Sequence, residues 1–134
     1  TDSGGAGRMR GGLGTEKVYR CVEGEITASQ LTDRHHHQAY GLEGGQPGAS
    51  GMTWFQADGS AQWQTMVEAF GKRSTSKWAN VRFGPGDRVR IETPGGGGFG
   101  DPHTRDAARI EDDLRDGFVS ADAARREYGL RTKE

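Results

Sequence analysis

A single cysteine, Cys21, is the only thiol in this chain of 134 residues, so no disulfide forms inside it. That excludes a disulfide-stapled secreted scaffold and suits a reducing, cytoplasmic compartment. Long apolar runs are missing as well. No stretch approaches the roughly 18 consecutive apolar residues of a membrane-spanning helix. The opening residues Thr1-Asp2-Ser3-Gly4-Gly5 carry neither the basic region nor the apolar core of a secretory signal. An excess of one charge is also absent: 18 basic residues against 19 acidic ones leave a net charge of −1. The broad basic surface of a nucleic-acid binder is therefore excluded. Aliphatic and phenylalanine side chains are scarce, with Leu 5, Ile 3, Val 6 and Phe 5 making 19 of 134 residues. So small an apolar inventory is thin for an independent core, and it predicts a module that leans on a partner or belongs to a larger body.

What the chain has instead is glycine: 23 residues, against a usual share of roughly 7%. Residues 1–14 hold six glycines and read as loop. Residues 16–27 alternate imperfectly, with Val18, Val22 and Ile26 on one parity, and read as a half-buried strand. A polar hinge at 33–38 leads to the turn-rich 41–48. Met52-Thr53-Trp54-Phe55 reads as a short strand, with a turn at Asp58-Gly59-Ser60. Val81-Arg82-Phe83 precedes a tight turn at 84–87. Residues 88–93 alternate cleanly, with Val89 and Ile91 inward, and form the best strand. The glycine run 95–100 breaks it.

Beyond residue 103 the composition turns charged and alanine-rich. Ala107, Ile110 and Leu114 share one helical face, with Gly117 closing that helix. Ser120 caps a second helix from Ala121 to Tyr128, ended by Gly129. The expected fold class is therefore α+β. A β-rich glycine-loop body spans 1–103, and a short C-terminal helical tail spans 104–134.

Few residues offer chemistry. Backbone amides in the loop Gly4–Gly14 could cradle phosphate beside Arg8 and Arg10, but the loop lacks the Gly-Lys-[Ser/Thr] ending that such sites need. The bland reading is close backbone packing. The run 95–100 with Asp101 admits the same pair of readings, a ligand-facing loop with an acid or a packed turn. His35-His36-His37 cannot all meet one metal, because successive side chains of extended backbone point to opposite faces. His35 and His37 share a face, and with Cys21 or His103 they form a candidate zinc set of no standard spacing. The alternative for the histidines is hydrogen bonding or an interface. Trp54, Trp63 and Trp78, in the least patterned stretch, are expected to anchor a core or an interface. No nucleophile, base and orienting acid stand in a recognisable local pattern, so no catalytic residue is assigned.

Four ordered stretches resemble the C-terminal region of the hydantoinase B/oxoprolinase family. They are Asp2 through Gly14; Asp33-Arg34-His35 with Tyr40 through Gly48; Pro85-Gly86-Asp87 through Pro102; and Asp116 through Leu130. Residues 50–80 and the third histidine depart from that pattern. The resemblance implies a part of a larger hetero-oligomer, most like a small non-catalytic subunit of an acetophenone- or acetone-carboxylase-type complex. An alternative within the family is the C-terminal part of an ATP-dependent hydantoinase or 5-oxoprolinase B subunit. An alternative outside it is a zinc-binding regulatory subunit. It implies hydantoinase A-like and hydantoinase B-like partners, with ATP and a divalent metal serving the complex and neither bound by this chain.

Overall fold

The computed structural model of the chain describes residues 1–130 and shows a mixed α+β fold rich in strand. It divides into two compact units that interleave along the sequence. One takes Thr15–His36 and Gly51–Thr93, and the other takes Thr1–Gly14, His37–Ser50 and Pro94 onward. This differs from the sequential split at 103/104 that composition predicts. The reason is that three glycine segments far apart in sequence mesh together, and the helices pack with them. The last four residues of the expected tail, 131–134, lie outside the described residues.

The strand unit holds two antiparallel sheets. One has four strands: β1 (Glu16–Arg20), β3 (Met52–Gln56), β4 (Gln64–Thr65) and β6 (Arg88–Glu92), in the spatial order β1-β6-β3-β4. The other pairs β2 (Ile26–Leu31) with β5 (Lys77–Phe83). A single turn of helix, α1 (Met66–Phe70), follows β4. Its Thr65-Met66-Val67-Glu68 start forms a capping box, in which the Thr65 hydroxyl accepts from Glu68 N and the Glu68 carboxylate accepts from Thr65 N. Phe55, Met66, Trp78, Val81 and Phe83 make the core, with Phe70 meeting Phe55 edge-on at 4.6 Å between ring centroids.

Trp78 and Val81 both face that core although they stand three apart on one strand. A bulge explains it. Ala28 pairs with Val81 and Gln30 with Trp78, so β5 carries one residue more than β2. Asn80 sits at the bulge in the left-handed region (φ 54°), and its N–H donates to the Ser29 hydroxyl at 3.1 Å.

The expected single strand over 16–27 is corrected to two strands in different sheets, separated by a turn at Gly24. Its predicted inward face is corrected too. Val18, Val22 and Ile26 are exposed, and Cys21, on the opposite parity, is buried. β1 ends its sheet, and Val18 is left about half exposed among the described residues.

The glycine unit is built differently. Gly95 and Gly98 donate backbone hydrogen bonds to Ala49 and Gln46, while Gly96 and Phe99 donate to Gly12 and Met9. Gln46 and Ala49 in turn donate to Ala6 and Ser3. Like-directed bonds thus recur every third residue, the period of a polyproline II-type helix and not the two of a pleated strand. Chains bonded this way approach more closely than side chains allow. An added Cβ at Gly11, Gly45, Gly95 or Gly98 would land on a carbonyl oxygen of a neighbouring segment. A 3-10 turn (Pro102–Thr104), α2 (Ala107–Arg115) and α3 (Ala121–Tyr128) complete the unit. Their apolar faces pack Ala6, Ile110, Val119, Ala123, Ala124 and Tyr128 together. Both helices start and stop where sequence placed them: Asp106 and Ser120 cap their first turns, and Gly129 closes α3 in the left-handed conformation.

Candidate functional site

Within the glycine unit the strongest charge cluster centres on Asp113 of α2. Arg10 grips its carboxylate with two of its three guanidinium nitrogens, Nε to Oδ2 at 3.0 Å and Nη2 to Oδ1 at 3.1 Å. Arg105 adds Nη2 to Oδ2 at 2.8 Å and sends Nη1 to the Arg8 carbonyl. Burial alone would raise the Asp113 pKa. The Arg10 hydrogen bonds and the charges of Arg10 and Arg105 outweigh it and hold the carboxyl below its usual range. The two guanidinium groups also lie over aromatic rings, Arg10 over Phe118 at 5.5 Å and Arg105 over Tyr128 at 6.0 Å. Tyr128 has its pKa raised, mainly by burial, and stays neutral. A carboxylate held by two arginines is neither a base nor a metal ligand. Its task is to lock the first glycine segment to the helices.

Beside this lock lies a recess of about 230 Å³, lined by Asp2, Gly4, Gly5, Gln46, Arg126 and Tyr128 among others. Its arginine is already paired, Arg126 Nε to Glu127 Oε1 at 2.8 Å. Asp2 is also engaged, with its carboxylate accepting from Ser120 N at 2.8 Å. Four amides of the first glycine loop are already committed to backbone. The amides of Gly5, Arg8, Met9 and Gly11 all donate to backbone carbonyls. Asp101 serves the chain as well, capping the 3-10 turn through His103 N at 2.9 Å. Both glycine runs pack closely against neighbouring backbone.

The four candidate zinc ligands are dispersed. Cys21 is buried in the strand unit, its thiol beside the carbonyls of Glu23 and Gly24. His35 is buried in the same unit, with Nε2 3.2 Å from Thr32 Oγ1 and Nδ1 3.2 Å from Thr75 Oγ1. Burial, and secondarily the neighbouring His36, lowers its pKa. His37 and His103 belong to the glycine unit and are exposed. Among the described residues no three His, Cys, Asp or Glu side chains gather to hold a metal.

The tryptophans divide between the core and a half-buried stack on one arginine. Trp78 is core, whereas Trp54 and Trp63 stack on the Arg90 guanidinium at 5.5 and 4.7 Å. Sequence reasoning missed this stack and the Asp113 lock. The alternation that turns Arg90 outward gives a signal for the first, and nothing local gives one for the second. No helix of the described residues is long and apolar enough to cross a membrane.

Comparison with known proteins agrees with the motif pattern. The hydantoinase B/oxoprolinase family profile matches residues 1–102. The caprolactamase subunit beta of Pseudomonas jessenii is 34% identical over 97% of this chain, which covers 21% of that protein. A 5-oxoprolinase of Pestalotiopsis fici is 37% identical over 87% of the chain, covering 9% of its own length. Among solved structures, the ATP-dependent caprolactamase from Pseudomonas jessenii superposes with a TM-score of 0.74 at 29% identity, over 99% of this chain and 22% of that one. Acetone carboxylase, nucleotide-free, shares the fold with a TM-score of 0.71 at 23% identity, over 99% and 21%. The chain thus spans about a fifth or less of the length of these relatives.

Proposed function

The chain belongs to the hydantoinase B/oxoprolinase family, and from that premise we propose that it is a non-catalytic scaffold of an ATP-dependent enzyme that opens cyclic amides. The observation that carries this reading is how the glycine unit spends its polar groups. The amides of Gly5, Arg8, Met9 and Gly11 bond to backbone, and Asp113, the buried carboxylate among the described residues, is paired with Arg10 and Arg105. Groups committed in that way hold a shape and do no chemistry. ATP and a divalent metal would then be held by a hydantoinase A-like partner, with a hydantoinase B-like polypeptide supplying the rest of the fold, in the cytoplasm.

The cyclic-amide class is favoured by the relatives at 34% and 37% identity, a caprolactamase subunit and a 5-oxoprolinase. Ketone carboxylation is a second reading, supported by the shared fold of acetone carboxylase. The test is ATP hydrolysis by the purified assembly with 5-oxoproline, caprolactam or a hydantoin, against acetone with bicarbonate. The expected result is turnover of a cyclic amide by the assembly and no ATP hydrolysis by this chain alone. ATP hydrolysis by the isolated chain would overturn the scaffold reading. Turnover of the ketone in place of the amides would move the assignment to carboxylation.

A further inference from the structure

The two sheets of the strand unit meet through Phe55 and Phe83 but part beyond that contact. Between them lies a groove of about 380 Å³ walled by Tyr19, Ile26, Ala28, Trp78, Val89 and Ile91 among others. A space of that size would hold roughly a dozen waters at about 30 Å³ each, and each water needs two to four polar partners. The exposed wall surface is mostly apolar, although Arg20, Ser29, Gln30 and Asp87 also border it, and it offers water few partners. An apolar occupant satisfies the groove and water does not.

The rim of the groove tells what kind of occupant. β1 contributes Tyr19 to the wall and is the last strand of its sheet. Cys21 N donates to Asp87 O, and Thr93 N donates to Thr15 O. In an antiparallel ladder bonded and non-bonded pairs alternate, so the odd residues 15 to 21 bond to β6. The N–H and C=O groups of Glu16, Val18 and Arg20 therefore face outward, where the described residues supply no further strand. A lipid or a small apolar ligand has no use for a strand edge. An extended polypeptide fills the groove with side chains and uses the edge with its backbone.

The comparisons narrow which polypeptide. The same fold sits within solved chains about five times longer, aligned over 99% of its own length. We propose that the groove between the two sheets seats an extended, apolar segment of a separate, hydantoinase B-type partner polypeptide. The proposal rests on the scaffold reading and names the surface through which scaffolding is done. The exposed Ile26 and Tyr19 side chains that line the groove are the part of the surface that this segment covers.

The experiment uses the protein co-expressed with the hydantoinase B-type polypeptide of its own organism. A photo-crosslinker is placed by the change Ile26→benzoylphenylalanine, with Val22→benzoylphenylalanine as the control at an exposed position that does not line the groove. The expected result is a position-26 cross-link to an apolar peptide of the B-type polypeptide, with none from position 22. A cross-link to a second copy of this chain, or products confined to the chain itself, would overturn the proposal while leaving the scaffold reading intact. Failure of the two polypeptides to co-purify would overturn both. In parallel, Ile26→Glu is expected to weaken association on the order of tenfold or more, because a carboxylate cannot be seated unpaired in an apolar groove. Val22→Glu is expected to leave it unchanged. Should Ile26→Glu fail to fold, the cross-link at position 26 still decides.

Discussion

Arg10 and Asp113 stand 103 positions apart in sequence and meet as a two-point fork, Nε to Oδ2 at 3.0 Å and Nη2 to Oδ1 at 3.1 Å. The pair ties the first glycine segment to α2, and Arg105 shares the same carboxylate. Asp113→Ala would leave two guanidinium groups, each largely withdrawn from water, without their counter-charge. The expected cost is about 3 kcal/mol, read as a lowered urea midpoint at pH 7. The sign of the pH dependence follows from the depressed carboxyl. Its stabilisation is complete above the unfolded carboxylate pKa of about 3.9 and is lost as pH falls through the lower folded value. The gap between the parent protein and the Asp113→Ala variant should therefore narrow in strong acid and hold steady from pH 5 to pH 8.

Two glycine positions separate packing from backbone freedom. A Cβ at Gly98 would fall on the Ala6 carbonyl oxygen, whereas one at Gly12 meets nothing within 4 Å. Gly98→Ala is expected to cost on the order of 3–5 kcal/mol or to prevent soluble accumulation, since the clash is with backbone on a meshed segment. Gly12→Ala is expected to be neutral or to stabilise by up to about 1 kcal/mol, through a less flexible unfolded chain. Thermal denaturation of both variants beside the parent checks the contrast. Equal effects would mean that the mesh is looser than its geometry.

His35 supplies the second pH dependence. The Thr32 hydroxyl donates to Ser76 O at 3.1 Å, so His35 Nε2 carries the proton toward Thr32 and Nδ1 accepts from Thr75. The ring is thus held neutral, with its pKa lowered by burial first and by His36 second. A depressed histidine gives stability that is complete above the unfolded pKa of about 6.5 and that fades as pH falls toward the folded value. Melting temperature should therefore drop on going from pH 7 to pH 5. His35→Gln, which keeps polar atoms without titrating, should flatten that drop. An unchanged slope would assign the acid sensitivity elsewhere.

How much of this was readable depends on whether side chains carried the pattern. Val89 and Ile91 alternate with arginines, and Ala107, Ile110 and Leu114 repeat at helical spacing, so β6 and the two helices follow from sequence. The meshed glycines offer no such mark. Their period of three lies in the directions of N–H and C=O groups, and a residue without a side chain leaves no trace of it. The Asp113 lock was hidden by distance along the chain. The turn of helix at 66–70 was hidden by brevity, although the Thr65 and Glu68 capping pair was present. Residues 16–27 misled because two strands of different sheets happen to continue one parity across Gly24, while Val18, Val22 and Ile26 stay exposed among the described residues.

The bulge in β5 yields the most local prediction and bears on the groove. Asn80 adopts φ 54°, which asparagine tolerates and a β-branched residue does not. Asn80→Val is expected to cost about 1–2 kcal/mol, while Asn80→Gly should change stability by no more than about 0.5 kcal/mol. The bulge also sets which face Trp78 takes, because removing the extra residue would shift the register and turn Trp78 away from Phe83 and the groove wall. Deletion of Asn80 should therefore do more than destabilise. Trp78 should become solvent-exposed, seen as red-shifted tryptophan emission, and association with the B-type polypeptide should fall together with it. Asn80→Val, which strains the same turn without changing the count, should lower the melting temperature and leave the emission wavelength of the folded protein in place.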